Sequence, residues 1–371
     1  MKLAALAFAL GISAAAGVLA QTGPAANFGE LSASANAARE ASNIPQAIDL
    51  YRKAIALRPN WEQGLWFLGT LEYDSNQYSA GRDDFRRLVG LNAKATPAWA
   101  LLGLCEFETG DYTRSLADIQ RAISLGAAKE SKIGPVLLDH EALLLTRAGH
   151  FNEAVQKFTK LVRFNEIDRA AVPAIGLAAL RVRLLPKEIP AARQGLYAAA
   201  GKAAVYIMAA DYPHAEQAFQ ELLQQYPTAR NVHYMYGIFL LVKDPNKAIR
   251  ELKRELTIDP GNADALTMLA WALLNRRDSQ TALPYAEKAA AAAPDSHNAQ
   301  YVCGRALVET GSVRHGLQFL ERAEKMDPKD LEIHVMLAVG YSKARQPVKA
   351  REQRNLSLAM VKKDAVHVAH Q

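Results

Sequence analysis

Trp99–Ala122 reads WALLGLCEFETGDYTRSLADIQRA, and Gln300–Ala323 reads QYVCGRALVETGSVRHGLQFLERA. In the first, apolar residues recur at helical spacing through Leu104 and Phe107. Gly110-Asp111 then breaks the pattern and a second helical run follows. The second stretch repeats this with Gly311-Ser312 at the break. Two antiparallel helices joined by a tight turn form a hairpin, which closes only where small residues let the helices approach. Gly103 and Ser115 are such a pair, as are Gly304 and Gly316, with the same spacing.

The same pair recurs along the chain: Ala35/Ala47, Gly69/Gly81, Ala142/Ala154, Ala203/Ala215, Ala270/Ala282 and Ala338/Ala350. Gly237/Ala248 is one residue shorter in the turn. The second members follow one another at one constant step through most of the chain. The step from Ala215 to Ala248 is one residue short, that from Ser115 to Ala154 is somewhat long, and that from Ala154 to Ala215 is much longer. Pro59, Pro227, Pro260, Pro294 and Pro328 follow second helices, where a missing N–H ends the helix. A large residue stands four after most second members: Tyr51, Phe85, Ile119, Phe158, Phe219, Leu252 and Leu320.

A two-helix unit of about 34 residues, in phase this often, resembles the tetratricopeptide-repeat family over about Phe28 to Met360. The resemblance implies an all-α, right-handed solenoid of about nine helical hairpins with an irregular unit in the middle. The expected layout is a signal peptide (1–20), about four repeats (28–167), an irregular unit (168–194), about five repeats (195–362) and a frayed tail (363–371).

The departures are specific. The step from Ser115 to Ala154 implies about five extra residues around Ala127–Ser131. The step from Ala154 to Ala215 exceeds one repeat by the stretch DRAAVPAIGLAALRVRLLPKEIPAARQ, Asp168 to Gln194. It is read as a helix near Ala171–Leu184 and a Pro-bracketed loop at Leu185–Pro190. This unit is either a break in the array or a dedicated binding feature. Lys202 occupies a normally apolar position, and Arg354 replaces the large apolar residue, as in a polar capping helix.

The chain of 371 residues is half apolar, and its net charge of +6 is spread without a basic run, which argues against a nucleic-acid partner. Lys2 followed by uncharged Leu3–Ala20 has the layout of a signal peptide cleaved before Gln21. The expected location is therefore periplasmic or secreted, with no membrane span after cleavage; an uncleaved N-terminal anchor is the alternative. No Cys follows the apolar stretch to take a lipid. Cys105 and Cys303, the two cysteines, fall in separate repeats and are expected as buried free thiols.

No phosphate-binding glycine loop, HExxH or GxSxG occurs, so no catalysis, cofactor or metal is expected. His140, His150, His214, His233, His297, His315, His334, His367 and His370 are scattered. Asp139-His140-Glu141 cannot converge, because consecutive helical residues point different ways.

By resemblance to the family, positions 2, 5, 9, 12 and 13 of each repeat line a concave groove. They give Gln63, Trp66, Thr70, Tyr73 and Asp74 in one repeat. The C-terminal repeats give Asn231 and Tyr234; Trp271 and Asn275; Asn298, Tyr301, Arg305 and Glu309; and Ser342 and Lys343. The Lys/Asn peptide-carboxylate clamp of the family is not found. Asn275, Asn298, Tyr301 and Arg305 are expected to converge on one groove wall. The expected function is an exported scaffold or adaptor holding a protein or peptide partner of unknown identity. The alternative is an architectural subunit of a cell-envelope secretion, pilus or outer-membrane assembly machine.

Overall fold

The computed structural model describes residues 24–130, 132–164 and 169–369, so the signal-peptide segment lies outside the described residues. Contacts divide the chain into two compact units, Met1–Gln194 and Gly195–Gln371. Both are built from helical hairpins, and the described residues contain no strand. No helix among them is long and apolar enough to cross a membrane.

The N-terminal unit holds four hairpins: α1 (Pro24–Glu40) with α2 (Ile44–Leu57), α3 (Glu62–Asp74) with α4 (Tyr78–Leu91), α5 (Thr96–Glu108) with α6 (Tyr112–Ser124), and α7 (Gly134–Ala148) with α8 (Phe151–Arg163). A single-turn 3-10 helix, Ala127–Lys129, takes up the extra residues before α7. The irregular unit differs from expectation. Its helix, α9, spans only Val172–Ala179, because the chain turns through a left-handed residue at Arg181. Two short 3-10 turns, Pro186–Glu188 and Ala191–Arg193, complete it.

The C-terminal unit holds five hairpins: α10 (Gln194–Met208) with α11 (Tyr212–Gln225), α12 (Val232–Leu240) with α13 (Pro245–Ile258), α14 (Ala263–Asn275) with α15 (Ser279–Ala292), α16 (His297–Glu309) with α17 (Val313–Met326), and α18 (Leu331–Lys343) with α19 (Pro347–Ala369). α19 continues as helix as far as Ala369, into the segment expected to be a frayed tail. Lys202 turns outward and pairs with Glu221 at 2.9 Å, and Arg354 is exposed.

The small-residue pairs do what hairpin closure requires. A Cβ on Gly304 would lie 2.7 Å from Leu320 and 2.8 Å from the Gly316 carbonyl oxygen. A Cβ on Gly103 would lie 2.6 Å from Ile119, while the Ser115 hydroxyl donates to the Gly103 carbonyl at 2.7 Å. The large residue four after the second small one thus packs onto the first, and Phe85, Ile119 and Leu320 are fully buried.

The turns obey the same register. Ser42, Asn76, Gly110, Gly149, Ala210, Arg277, Gly311 and Arg345 have positive φ, each five residues before a second small residue. Around Gly110 the Asp111 N–H donates to the Glu106 carbonyl and the Gly110 N–H to Phe107, the paired bonds of a Schellman motif. The hairpin of Gly237 and Ala248, with its shorter spacing, has no such residue, and its first helix, α12, stops at Leu240.

The loops between hairpins are held by a recurrent side-chain bond. His233, Gln300 and His334 each face the carbonyl of a proline six residues earlier, Pro227 at 2.9 Å, Pro294 at 3.1 Å and Pro328 at 2.9 Å. A carbonyl only accepts, so the nitrogen facing it donates. Trp99 donates likewise to Ala93 at 3.0 Å.

Candidate partner-binding face

The first helices of each unit carry the positions expected to meet a partner, and the two units treat them differently. In the N-terminal unit Trp66 is a core residue, buried with its ring 5.9 Å from Phe85. The expectation of Trp66 as a groove contact is therefore corrected: the indole is buried and packs against Phe85 of α4, inside its own hairpin. Tyr73 is half-buried, edge-on to Tyr78 at 5.5 Å, and burial pushes its phenol pKa up. Gln63 and Asp74 are exposed, while the Thr70 hydroxyl donates to the Trp66 carbonyl.

Part of this face is covered by the chain itself. The Lys187 ammonium lies 5.6 Å from the Phe107 ring centre and 5.7 Å from that of Tyr112. Glu188 accepts two bonds from Arg147 on α7 and one from the Leu185 backbone N–H. Leu185 itself is buried in the core of the unit. The irregular segment is thus bonded onto α5 and α7.

In the C-terminal unit some expected residues gather and others are consumed by structure. Asn231 has φ 66°. Its N–H donates to Glu255 at 2.7 Å and its side-chain oxygen accepts from Asn262 at 2.7 Å. The Tyr234 N–H donates to the same Glu255. Asn231 is therefore a joint residue, because the fully buried Glu255 needs donors. Tyr301 is also corrected. It is only 5 % exposed, and its phenol pKa is pushed up by burial and then by the nearby Glu332 charge.

Arg305 binds Glu309 at 2.8 Å and Asn275 of α14 at 2.8 Å, while Glu309 also accepts from Ser279 of α15. Asn275, Arg305 and Glu309 thus converge, already joined to one another. Asn298 and Ser342 stand exposed, and Trp271 is half-buried against the core. Lys343 donates to the Val308 carbonyl at 3.0 Å.

Sequence reasoning missed two residues here. Val335 and Val339 lie one turn apart on α18, 46 % and 40 % exposed. The register that marks Ser342 and Lys343 places both valines on this face.

It also missed a duplicated acidic feature in the N-terminal unit. Glu72 and Asp84 bring their carboxyl groups together, as do Glu106 and Asp118. Arg52 donates to Glu72 at 2.7 Å and Arg86 to Glu106 at 2.7 Å, each from the preceding second helix. Glu72 and Glu106 are almost wholly buried, and the second oxygen of each finds no donor. Burial raises both to about 7, held back by the arginine and reinforced by the neighbouring acid. Protonation of either acid below about pH 7 supplies each pair with the donor that the orphan oxygen lacks. The signal was present, since Arg52 and Arg86, Glu72 and Glu106, and Asp84 and Asp118 each stand one repeat apart. Cys105 and Cys303 are buried free thiols, each pushed up to about 12 by burial.

The tetratricopeptide-repeat family model matches residues 68–130 and 267–338, one stretch in each unit. Among solved structures, the chain is similar to MamA 41-end from Desulfovibrio magneticus RS-1. That match has 20 % identity and a TM-score of 0.41, and covers 45 % of this chain and 96 % of that one. It is also similar to YrrB, described as a TPR protein with an unusual peptide-binding site, at 20 % identity and TM-score 0.38, covering 46 % and 89 %. No curated protein matches the chain.

Proposed function

We propose that the chain, which the tetratricopeptide-repeat family model matches over residues 68–130 and 267–338, acts as a scaffold that holds a protein or peptide segment against the first-helix face of its C-terminal unit. Tetratricopeptide-repeat proteins are generally non-catalytic scaffolds, and the reading assigns no reaction. The observation that carries it is the exposed pair Val335 and Val339 on α18, the helix that also carries Ser342 and Lys343, with the joined set Asn275, Arg305 and Glu309 at the same repeat positions of α14 and α16. An apolar centre with a polar rim is the usual anatomy of an interface. The corresponding face of the N-terminal unit is partly occupied by Lys187 and Glu188, which favours the C-terminal unit.

The test is crosslinking of the tagged protein in its own cell, identification of the partner by mass, and affinity measurement with purified components. Val335→Asp with Val339→Asp is expected to weaken the complex at least tenfold, about 1.4 kcal/mol or more. Unchanged affinity in that variant sinks the face. Export belongs to the same reading and rests on Lys2 and the uncharged run to Ala20. The mature chain should begin at Gln21 by mass spectrometry, and a membrane-bound chain retaining Met1 would mean an anchored protein.

One observation favours a second reading, an architectural subunit of an envelope assembly. α19 leaves Leu356, Leu358 and Val361 about half exposed. If Leu356→Asp with Leu358→Asp abolishes association while the α18 valines are dispensable, this reading replaces the first.

A further inference from the structure

His297 opens α16, Asp327 caps the C-terminus of α17, and Asp330 caps the N-terminus of α18. One imidazole nitrogen and one oxygen from each carboxylate lie within 4.8 Å of one another, and all three residues are half-buried. Each aspartate commits one oxygen to the backbone. Asp327 accepts from the Lys329 N–H at 3.0 Å and Asp330 from the Glu332 N–H at 2.8 Å. The carboxylates are therefore held in place with their other oxygens available.

The imidazole is the informative member. His140, His233 and His334, the other described histidines that are buried or half-buried, all have hydrogen-bond partners. Among the described residues no hydrogen bond holds the His297 ring. Nor does the repeat demand this set, since the same register one repeat earlier carries Ala263, Ala293 and Ser296.

We propose that His297, Asp327 and Asp330 bind a divalent transition-metal ion, with zinc the best match, at the joint between the last two hairpins. Imidazole nitrogen with carboxylate oxygen suits zinc, whereas calcium and magnesium favour all-oxygen shells. Two carboxylates cancel the charge of the ion. Donors at about 2.0–2.2 Å from zinc stand roughly 3.0–3.5 Å apart, so side-chain rotation closes the present spacing. Half-burial leaves water in the remaining positions. The ligands come from α16, α17 and α18, so the ion ties one hairpin to the next. No sequence motif announced this site, because the length of the α16–α17 hairpin separates His297 from the two aspartates, and the three meet only once that hairpin closes and α18 packs after it.

The full chain, stripped with a chelator, is titrated with zinc chloride by calorimetry, with magnesium chloride as the control. The wild type should bind zinc at one site and melt at a higher temperature with zinc present. His297→Ala, Asp327→Asn and Asp330→Asn should each weaken binding at least tenfold and lose the zinc-dependent rise in melting temperature. The asparagines preserve capping, so their metal-free melting should match wild type. His315→Ala and the pair His367→Ala/His370→Ala should bind zinc as wild type does. The proposal is overturned if wild type binds no zinc, if the three ligand variants bind as wild type does, or if the tail pair abolishes binding.

Discussion

The same hairpin builds both units, yet they handle polar groups between helices differently. In the N-terminal unit the wedged groups are acids, Glu72 with Asp84 and Glu106 with Asp118, each pair short of a donor unless it holds a proton. In the C-terminal unit His233, Gln300 and His334 reach backbone carbonyls, the two histidines also meeting Glu251 and Gln353, and the buried acids Glu251 and Glu255 have donors from neighbouring groups. Helix starts differ too. Across α2–α9 one N-cap side chain, Asp111, accepts a backbone bond. Across α11–α18 six do: Asp211, Asp244, Asn262, Asp278, Ser296 and Asp330. A repeat sets where helices touch and leaves the chemistry of the contact free.

The largest effects should ignore this difference, because the apolar closure is common to both units. Phe85→Ala removes a fully buried ring lying 2.9 Å from where a Gly69 Cβ would stand. It should cost about 3–5 kcal/mol, read as lost hydrogen-exchange protection in α3 and α4. Leu320→Ala should cost about 2–5 kcal/mol in α16 and α17. A small cost in one unit alone would break the idea of a shared closure.

The acid pairs predict a pH dependence in the N-terminal unit. A carboxyl raised to about 7 in the folded state binds its proton more tightly there than in the unfolded chain. That stability is fully present below about 4.5, the unfolded value, and is lost as pH rises through about 7. Protection of α3–α6 should therefore fall between about pH 5 and pH 8. Glu72→Gln with Glu106→Gln, which keep the shape and remove the titration, should flatten the profile. A fall that persists in the double variant would place the titration elsewhere.

Capping sharpens the contrast at about 1 kcal/mol per site. Asp278→Ala and Ser296→Ala should each destabilise the C-terminal unit by about that amount in urea unfolding. His150, the uncapped start of α8, stands three residues before Glu153, so His150→Ser writes a capping box and should gain up to about 1 kcal/mol.

The smallest effects concern the turns. Ala210 and Arg345 hold φ of 59° and 58°, a conformation that favours glycine. Ala210→Gly and Arg345→Gly should each raise stability by up to about 1 kcal/mol, whereas Gly311→Ala should lower it by a similar amount.

Much of the fold was legible. The small-residue pairs fall on the helical hairpins of the described residues, and the turn between Gly237 and Ala248, one residue short in the sequence, is the one without a left-handed residue. The irregular helix was drawn too long, because an apolar run does not reveal that the chain turns back at Arg181. The binding face was legible only as a register. Position alone put Trp66, Asn231 and Tyr301 on it, but Phe85, Glu255 and the next hairpin absorb them.

What the sequence determined by itself is whatever depends on period: two helices per unit, close approach at small residues, a large side chain packed four residues on, and proline endings. These follow from local sterics and helical geometry, which act over a few residues. The tertiary structure alone decided which polar side chains are spent and which remain available. Arg52 meets Glu72 from the preceding hairpin, Asn275 meets Arg305, and His297 meets Asp327 and Asp330, all across long stretches of intervening chain. Such meetings depend on how far each side chain reaches once hairpins stack, and burial then sets the charge each acid can keep.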